Sequence, residues 1–278
     1  MDTLKSDFVN VNGVRLHYRD WGGSGEVLLL LSGFGDDAKI FDDFAQKFID
    51  RFHVIGLTRR GSGESDKPAT GYDTNTRVED IRHFLDTIKI ERATIIGHSM
   101  AGDELTLFAS LYPTRVNRLV YLDAAQDRRR TADITLSDPA CPPYLRRLLL
   151  EVLESPDAAQ IAVSDMPPLD EWERYKAIMK AMITFPTDFS LVKAPALSFY
   201  AMPERHPYIP PQATEEIRES MNDWWVKNGI PYIQACIEKF LREAQHGQVV
   251  EMKDANHYLF LGHTQDEVVS RIREFLLK

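Results

Sequence analysis

Cysteine is nearly absent. Cys141 and Cys236 are the only two in 278 residues, too few for a disulfide framework and most simply read as two separate thiols. Long apolar runs are missing too. The densest, Val27 to Leu31, falls far short of the roughly 20 residues that a membrane-spanning helix needs. Positive charge is in short supply: 33 Lys and Arg stand against 42 Asp and Glu, a formal net charge of −9. Neutralising a phosphate backbone requires clustered Lys and Arg, so nucleic acid is not an expected partner. The one basic cluster, Arg128-Arg129-Arg130, is short and flanked by Asp127 and Asp133, and it reads as solvated surface. No Cys/His spacing suggests a metal site. Gly61-Ser62-Gly63-Glu64-Ser65 lacks the third glycine of a dinucleotide loop and reads as a structural turn, so no cofactor is expected. Met1 to Asp7 lack the apolar stretch of a secretory signal. The expectation is a cytoplasmic chain without a membrane partner.

What the sequence does contain is alternation of two periods. Phe8–Val11 and Val14–Tyr18 flank Asn12-Gly13, the pair best suited to a tight hairpin turn. Apolar segments at 27–31, 52–57, 93–96, 118–122, 195–200 and 249–252 read as strands. The first of these loses period-two alternation altogether, as a strand buried on both faces does. Between them lie helical patterns such as Val78, Ile81, Leu85 and Ile88. Strands alternating with helices imply parallel pairing and right-handed crossovers, an α/β layered fold. From Ala124 to Val192 no strand is evident. Leu145–Leu153 is helical, and Trp172, Tyr175, Met179 and Met182 recur on one helical face, with Pro142-Pro143 and Pro167-Pro168 as punctuation. The expected division is a sheet-centred core of residues 1–123 and 193–278, interrupted by a helical cap of residues 124–192. Thr264 and Glu267 have the spacing of a capping box for the last helix.

The segment Thr94-Ile95-Ile96-Gly97-His98-Ser99-Met100-Ala101-Gly102 sets a serine between a buried strand and a helix. A sharp turn there lifts the serine hydroxyl above the sheet edge, and small neighbours let strand and helix approach. The helix N-terminus adds free N–H groups beside Ser99. With this segment the chain resembles the α/β-hydrolase superfamily, in its serine esterase and lipase branch. The Asn12-Gly13 hairpin, the Gly33-Phe34-Gly35 turn, Arg60-Gly61-Ser62-Gly63-Glu64-Ser65-Asp66-Lys67-Pro68 and a C-terminal histidine extend the resemblance over nearly the whole length. Two departures are visible. Ala101 stands where the elbow pattern has its second glycine, with Gly102 one place later. Ser32-Gly33 stands where the family often has His-Gly.

The resemblance implies a mostly parallel eight-stranded sheet flanked by helices and a serine nucleophile at Ser99. It places the oxyanion donors at the backbone N–H groups of Phe34 and Met100. The general base is expected after the last strand, at His257. His98 adjoins the nucleophile, His17, His53 and His83 lie within elements, and His263 falls near the final helix cap. The triad acid is Asp123, after the strand ending at Leu122, or alternatively Glu204, after the strand ending at Tyr200. Trp172 and Tyr175 are candidate substrate contacts; Trp224-Trp225 and the Trp172 stripe could line a pocket, although core packing is the commoner use of such aromatics. The implied activity is hydrolysis of a small ester-type substrate with an apolar group. The alternatives are a receptor-like relative that binds without turnover, an amidase, a lactonase, a C–C hydrolase or a cofactor-free perhydrolase.

Overall fold

The computed structural model of the chain describes residues 4–161 and 168–278; Met1–Thr3 and Pro167 lie outside the described residues. Strands β1 (Lys5–Val11) and β2 (Val14–Gly22) form the expected hairpin. Asn12 and Gly13 turn it with φ of +47° and +77°, which matches the twist of the two strands. Then follow β3 (Val27–Leu31), β4 (His53–Leu57), β5 (Ala93–His98), β6 (Val116–Leu122), β7 (Ala196–Met202) and β8 (Gly247–Lys253). The eight make one sheet in the order β1-β2-β4-β3-β5-β6-β7-β8. Only β2 runs antiparallel to its neighbours; every other pairing from β4 to β8 is parallel. The order reverses around β3, and ligands of open α/β sheets bind beyond the strand C-termini at such a switch.

Neighbouring side chains in the central strands face opposite layers. Leu29 and Leu31 of β3 join one core, while Leu28 and Leu30 join the other. The same division separates Ile95 from Ile96, and Leu119 and Tyr121 from Val120 and Leu122. Among the described residues the helices are α1 (Asp42–Gln46), α2 (Thr74–Thr87), α3 (Ala101–Leu111), α4 (Thr131–Ser137), α5 (Pro143–Val152), α6 (Leu169–Thr184), α7 (Glu215–Trp224), α8 (Ile230–Glu243) and α9 (Gln265–Leu276). α2, α3 and α8 bury Phe84, Phe108 and Phe240 on one face of the sheet. α1 and α9 bury Phe44 and Phe275 on the other. Double coverage explains why the strands read as unbroken apolar runs.

Between β6 and β7 the regular structure among the described residues is all helical. α4, α5 and α6 share a small core of Ala132, Leu148, Leu149, Val152, Trp172, Met179 and Ile183. A second face of α6 turns Ile178 and Met182 onto Tyr72 and Met100 of the sheet layer. One local expectation fails. Thr264 does not cap α9 with its side chain; its hydroxyl donates instead to the carbonyls of Leu259 (2.7 Å) and Leu261 (3.3 Å). A 3-10 turn, Gly262–Thr264, feeds the helix and takes over the entry that a capping box would have made. Cys141 and Cys236 are both free. No described helix is long and apolar enough to cross a membrane.

Candidate active site

Ser99 follows directly on β5 and precedes α3. Its φ of +52° lies in the left-handed region, where a side chain costs about 1–2 kcal/mol, so the surroundings must hold it there. Two small residues permit the turn. A Cβ on Gly97 would sit 2.6 Å from a Leu105 methyl, and one on Gly102 would strike the carbonyl oxygen of Ala124. The glycine one place beyond the usual position is therefore the one that lets α3 lie against the chain after β6. Ala101 is buried without disturbing the turn. The Ser99 N–H donates to the Leu122 carbonyl at 3.2 Å, which ties the elbow to the end of β6.

Arg128 corrects the reading of its cluster as solvated surface. It is 3% exposed. One guanidinium nitrogen donates to the Ser99 carbonyl at 2.7 Å, and another reaches Asp103 Oδ1 at 2.9 Å. Arg129 is half exposed and pairs with Asp127. Burial pushes the Asp103 carboxyl up to about 6, against the pull of Arg128 and Arg77. Arg59 does for the Ser32–Gly35 turn what Arg128 does for the elbow. It donates to the carbonyls of Ser32 and Gly33 and reaches Glu104 Oε2 at 2.7 Å. Arg77 lies 3.0 Å from the other oxygen of Glu104 and donates to the Met100 sulfur at 3.6 Å. Sequence reasoning missed all three arginines. Nothing in a single Arg distinguishes a buried clamp from a surface charge until the carbonyls that it satisfies are known.

The N–H groups of Phe34 and Met100 have no hydrogen-bond partner among the described residues. Both residues border one cavity of about 210 Å³. On the other side, His257 follows β8 and its Nδ1 donates to Asp123 Oδ2 at 2.7 Å. Asp123 itself has φ +49°; its second oxygen accepts from the Ala201 N–H at 3.2 Å. A carboxylate so held fixes the imidazole tautomer and leaves Nε2 free to act on a substrate. Glu204 is exposed and makes no ion pair or hydrogen bond among the described residues, so the structure brings Asp123, not Glu204, to His257. His263 is exposed on the turn before α9. His98 is buried, donates through Nε2 to the His257 carbonyl at 3.0 Å and packs its ring 4.5 Å from that of His257. Burial holds its pKa well below the ordinary histidine value. The Ser99 hydroxyl makes no hydrogen bond among the described residues, a common state for sites whose contacts tighten around substrate.

A second cavity, about 230 Å³, is bordered by Asp123, His257, Tyr208, Trp224, Trp225 and Tyr232. Trp224 and Trp225 both border this cavity, and Trp225 also packs against the main core. They do so where a π-helical turn, Trp225–Gly229, joins α7 to α8. Tyr175 borders the first cavity, edge-on to Phe34 at 5.2 Å. Trp172 corrects the expectation of a substrate contact. It is 2% exposed in the core of the inserted helices, with its Nε1 donating to Glu151 at 2.8 Å, and it borders neither cavity. The helical spacing that grouped it with Tyr175 is real: Tyr175 packs on the edge of the same small core and reaches the first cavity, whereas Trp172 is enclosed within that core. No group of three or more His, Cys, Asp or Glu that could hold a metal occurs among the described residues.

Residues 26–154 match the family model described as alpha/beta hydrolase fold. In sequence the chain is similar to an uncharacterised protein of Mycobacterium tuberculosis, 37% identical over 117 residues, or 42% of this chain and 34% of that one. It is also similar to a 2-(acetamidomethylene)succinate hydrolase of Mesorhizobium japonicum, 32% identical over 122 residues, 44% of each. The matches span less than half the length of these relatives. In structure it is similar to E-2-(acetamidomethylene)succinate hydrolase, with a TM-score of 0.70 at 20% identity, covering 99% of this chain and 100% of the other. The sheet order, the elbow after β5 and these likenesses agree: the chain has the alpha/beta hydrolase fold.

Proposed function

We propose that the chain is a serine hydrolase that cleaves a carboxylic ester or a related acyl bond of a small molecule. The observation that carries this reading is the His257–Asp123 hydrogen bond of 2.7 Å beside a serine held at φ +52° between strand and helix. In this mechanism Ser99 Oγ attacks the acyl carbon while His257 Nε2 takes its proton. The tetrahedral oxyanion is received by the unpartnered N–H groups of Phe34 and Met100. The imidazolium, steadied by Asp123, then gives the proton to the leaving group, and an acyl-enzyme forms. Water attacks the acyl-enzyme with His257 again as base, which restores Ser99. Beyond the substrate and one water, each step is carried by groups of the chain.

The helical segment of residues 124–192 serves as a cap over the core of residues 1–123 and 193–278, since α6 lays Ile178 and Met182 on Met100. The aromatic cavity beside His257 suits an apolar arm of the substrate. Relatives with different named substrates share this fold, so the acyl bond is identified by turnover of a panel of esters, amides and lactones.

The test of the nucleophile is labelling with a fluorophosphonate. The folded wild type takes the label at Ser99, and Ser99→Ala takes none and turns over no ester while keeping its circular dichroism. A folded wild type that stays unlabelled overturns the proposal and leaves the reading of a ligand-binding relative in its place.

A further inference from the structure

The cavity that opens on the oxyanion donors is strongly cationic. Arg59, Arg60, Lys67, Arg77 and Arg174 border it, against a single acidic neighbour, Glu171. Three of the five charges are committed elsewhere. Arg60 forms a two-pronged pair with Asp80, both contacts at 2.6 Å. Arg59 and Arg77 share the one carboxylate of Glu104, so that group of three keeps a net positive charge. Arg174 and Lys67 are committed less. Arg174 is nearly buried, with its guanidinium over the Tyr175 ring at 5.5 Å; its one ion pair among the described residues is with Glu171 at 3.2 Å by one nitrogen, and its Nε has no hydrogen-bond partner among them. Lys67 is exposed at the rim and has no ion pair among the described residues. A walled cavity lined with one sign of charge raises the local concentration of the opposite sign, and low-dielectric walls strengthen the effect. An arginine with an unused donor is suited to a planar carboxylate.

We infer that this cavity is the seat of a carboxylate on the substrate, held by Arg174 and Lys67. The inference rests on the serine-hydrolase reading for its placement beside the oxyanion donors. The substrate is then an acyl compound with an anionic acyl arm toward Arg174 and an apolar arm in the aromatic cavity beside His257. The cationic cavity borders Phe34 and Met100 whereas the aromatic one borders Asp123 and His257, so the charge that binds the substrate also selects which arm enters which cavity.

The experiment compares 4-nitrophenyl monoesters of succinate, glutarate and adipate with their methyl-capped neutral counterparts, background hydrolysis subtracted. In the wild type the best carboxylate-ended ester exceeds its neutral partner by about tenfold or more in kcat/KM, the worth of one charge-assisted hydrogen bond. That ratio falls toward one in Lys67→Gln and in Arg174→Gln, mainly through KM. Lys67 is exposed, so its substitution removes no packing and keeps the test valid even if Arg174→Gln disturbs α6. A wild-type ratio at or below one, or a ratio that neither substitution changes, overturns the inference. Calorimetry with glutarate on Ser99→Ala reads the seat without turnover. Binding that weakens about tenfold when Arg174→Gln is added supports it, even if no ester is cleaved and the hydrolase reading falls. Absence of glutarate binding at low ionic strength overturns it.

Discussion

At the scale of single residues, the sequence offered two acids for one histidine. Asp123 and Glu204 each follow a strand, each stand between Ser99 and His257 in chain order, and strand ends are the least certain boundaries to read. The geometry separates them: Asp123 bonds His257 at 2.7 Å, and Glu204 is solvated. Asp123→Asn keeps the size of the side chain and tolerates the left-handed backbone at this position. It replaces an acceptor by an amide and so favours the wrong imidazole tautomer. We expect kcat to fall by roughly 10⁴ on any ester that the wild type turns over, and Glu204→Gln to leave it close to the wild type. Steady-state kinetics of the two variants decide it, and a larger loss in Glu204→Gln would refute the assignment. The places of Ser99 between β5 and α3 and of His257 after β8 were legible because local pattern marks them: small residues around one, the end of a strand before the other. Arg128 was not. Its neighbours Arg129 and Arg130 are exposed, and its burial goes with a carbonyl contributed by a turn 29 positions away.

Elements carry a different kind of information. The hairpin, the parallel strands and the helices between β6 and β7 could be read because a strand buried on one face or two and a helix buried along a stripe leave different periodicities. The elbow is a contact between elements, and its tolerance was less legible. A glycine displaced by one position looks like a defect in a motif. In the structure Gly102 is where α3 meets the backbone carbonyl of Ala124, and Ala101 fits without strain. The prediction belongs to the packing of α3 on the chain after β6. Gly102→Ala forces the two apart, and overpacking of this kind costs about 1–3 kcal/mol. A thermal melt should show Tm lower by several degrees, at roughly 2–4 °C per kcal/mol for a domain approaching this size. Gly102→Ala with an unchanged Tm would mean that the elbow is not wedged at this point. The helices between β6 and β7 show the limit of periodicity. Trp172 and Tyr175 share a helix and a spacing, yet one is core and the other borders the cavity. Which side a given turn of α6 presents depends on α4, α5 and the sheet layer together, and no window of sequence contains all of them.

For the whole molecule, the buried titratable groups set how stability responds to pH. His98 and His17 are both buried, and burial lowers the pKa of each below the ordinary value near 6.5. His98 is locked neutral among the rings of His257, Tyr258 and Phe260, with Nε2 donating and Nδ1 unpartnered. His17 bridges the hydroxyls of Ser6 and Thr58. The unfolded chain takes up these protons more readily than the folded one. Their contribution is therefore fully present above about pH 6.5 and is lost as pH falls, at up to about 1.4 kcal/mol per pH unit for each histidine. Asp103 acts in the opposite sense. Its carboxyl is raised to about 6, so its contribution is greatest below the unfolded value near 3.9 and is lost as pH rises through about 6. Asp36, raised by burial beside Tyr258, has the same sign as Asp103. Stability should thus drop as pH falls from 7 toward 6, where only the histidines titrate, and the slope should ease below 6 as Asp103 gains its proton. His98→Gln keeps a donor for the His257 carbonyl and removes one titrating group, so its Tm should fall less over the same interval. Melting curves between pH 7.5 and about 5 test both statements, because exposed carboxylates titrate mostly below that range. A flat wild-type profile, or one that His98→Gln leaves unchanged, would mean that the buried imidazoles do not govern the acid side of the stability curve.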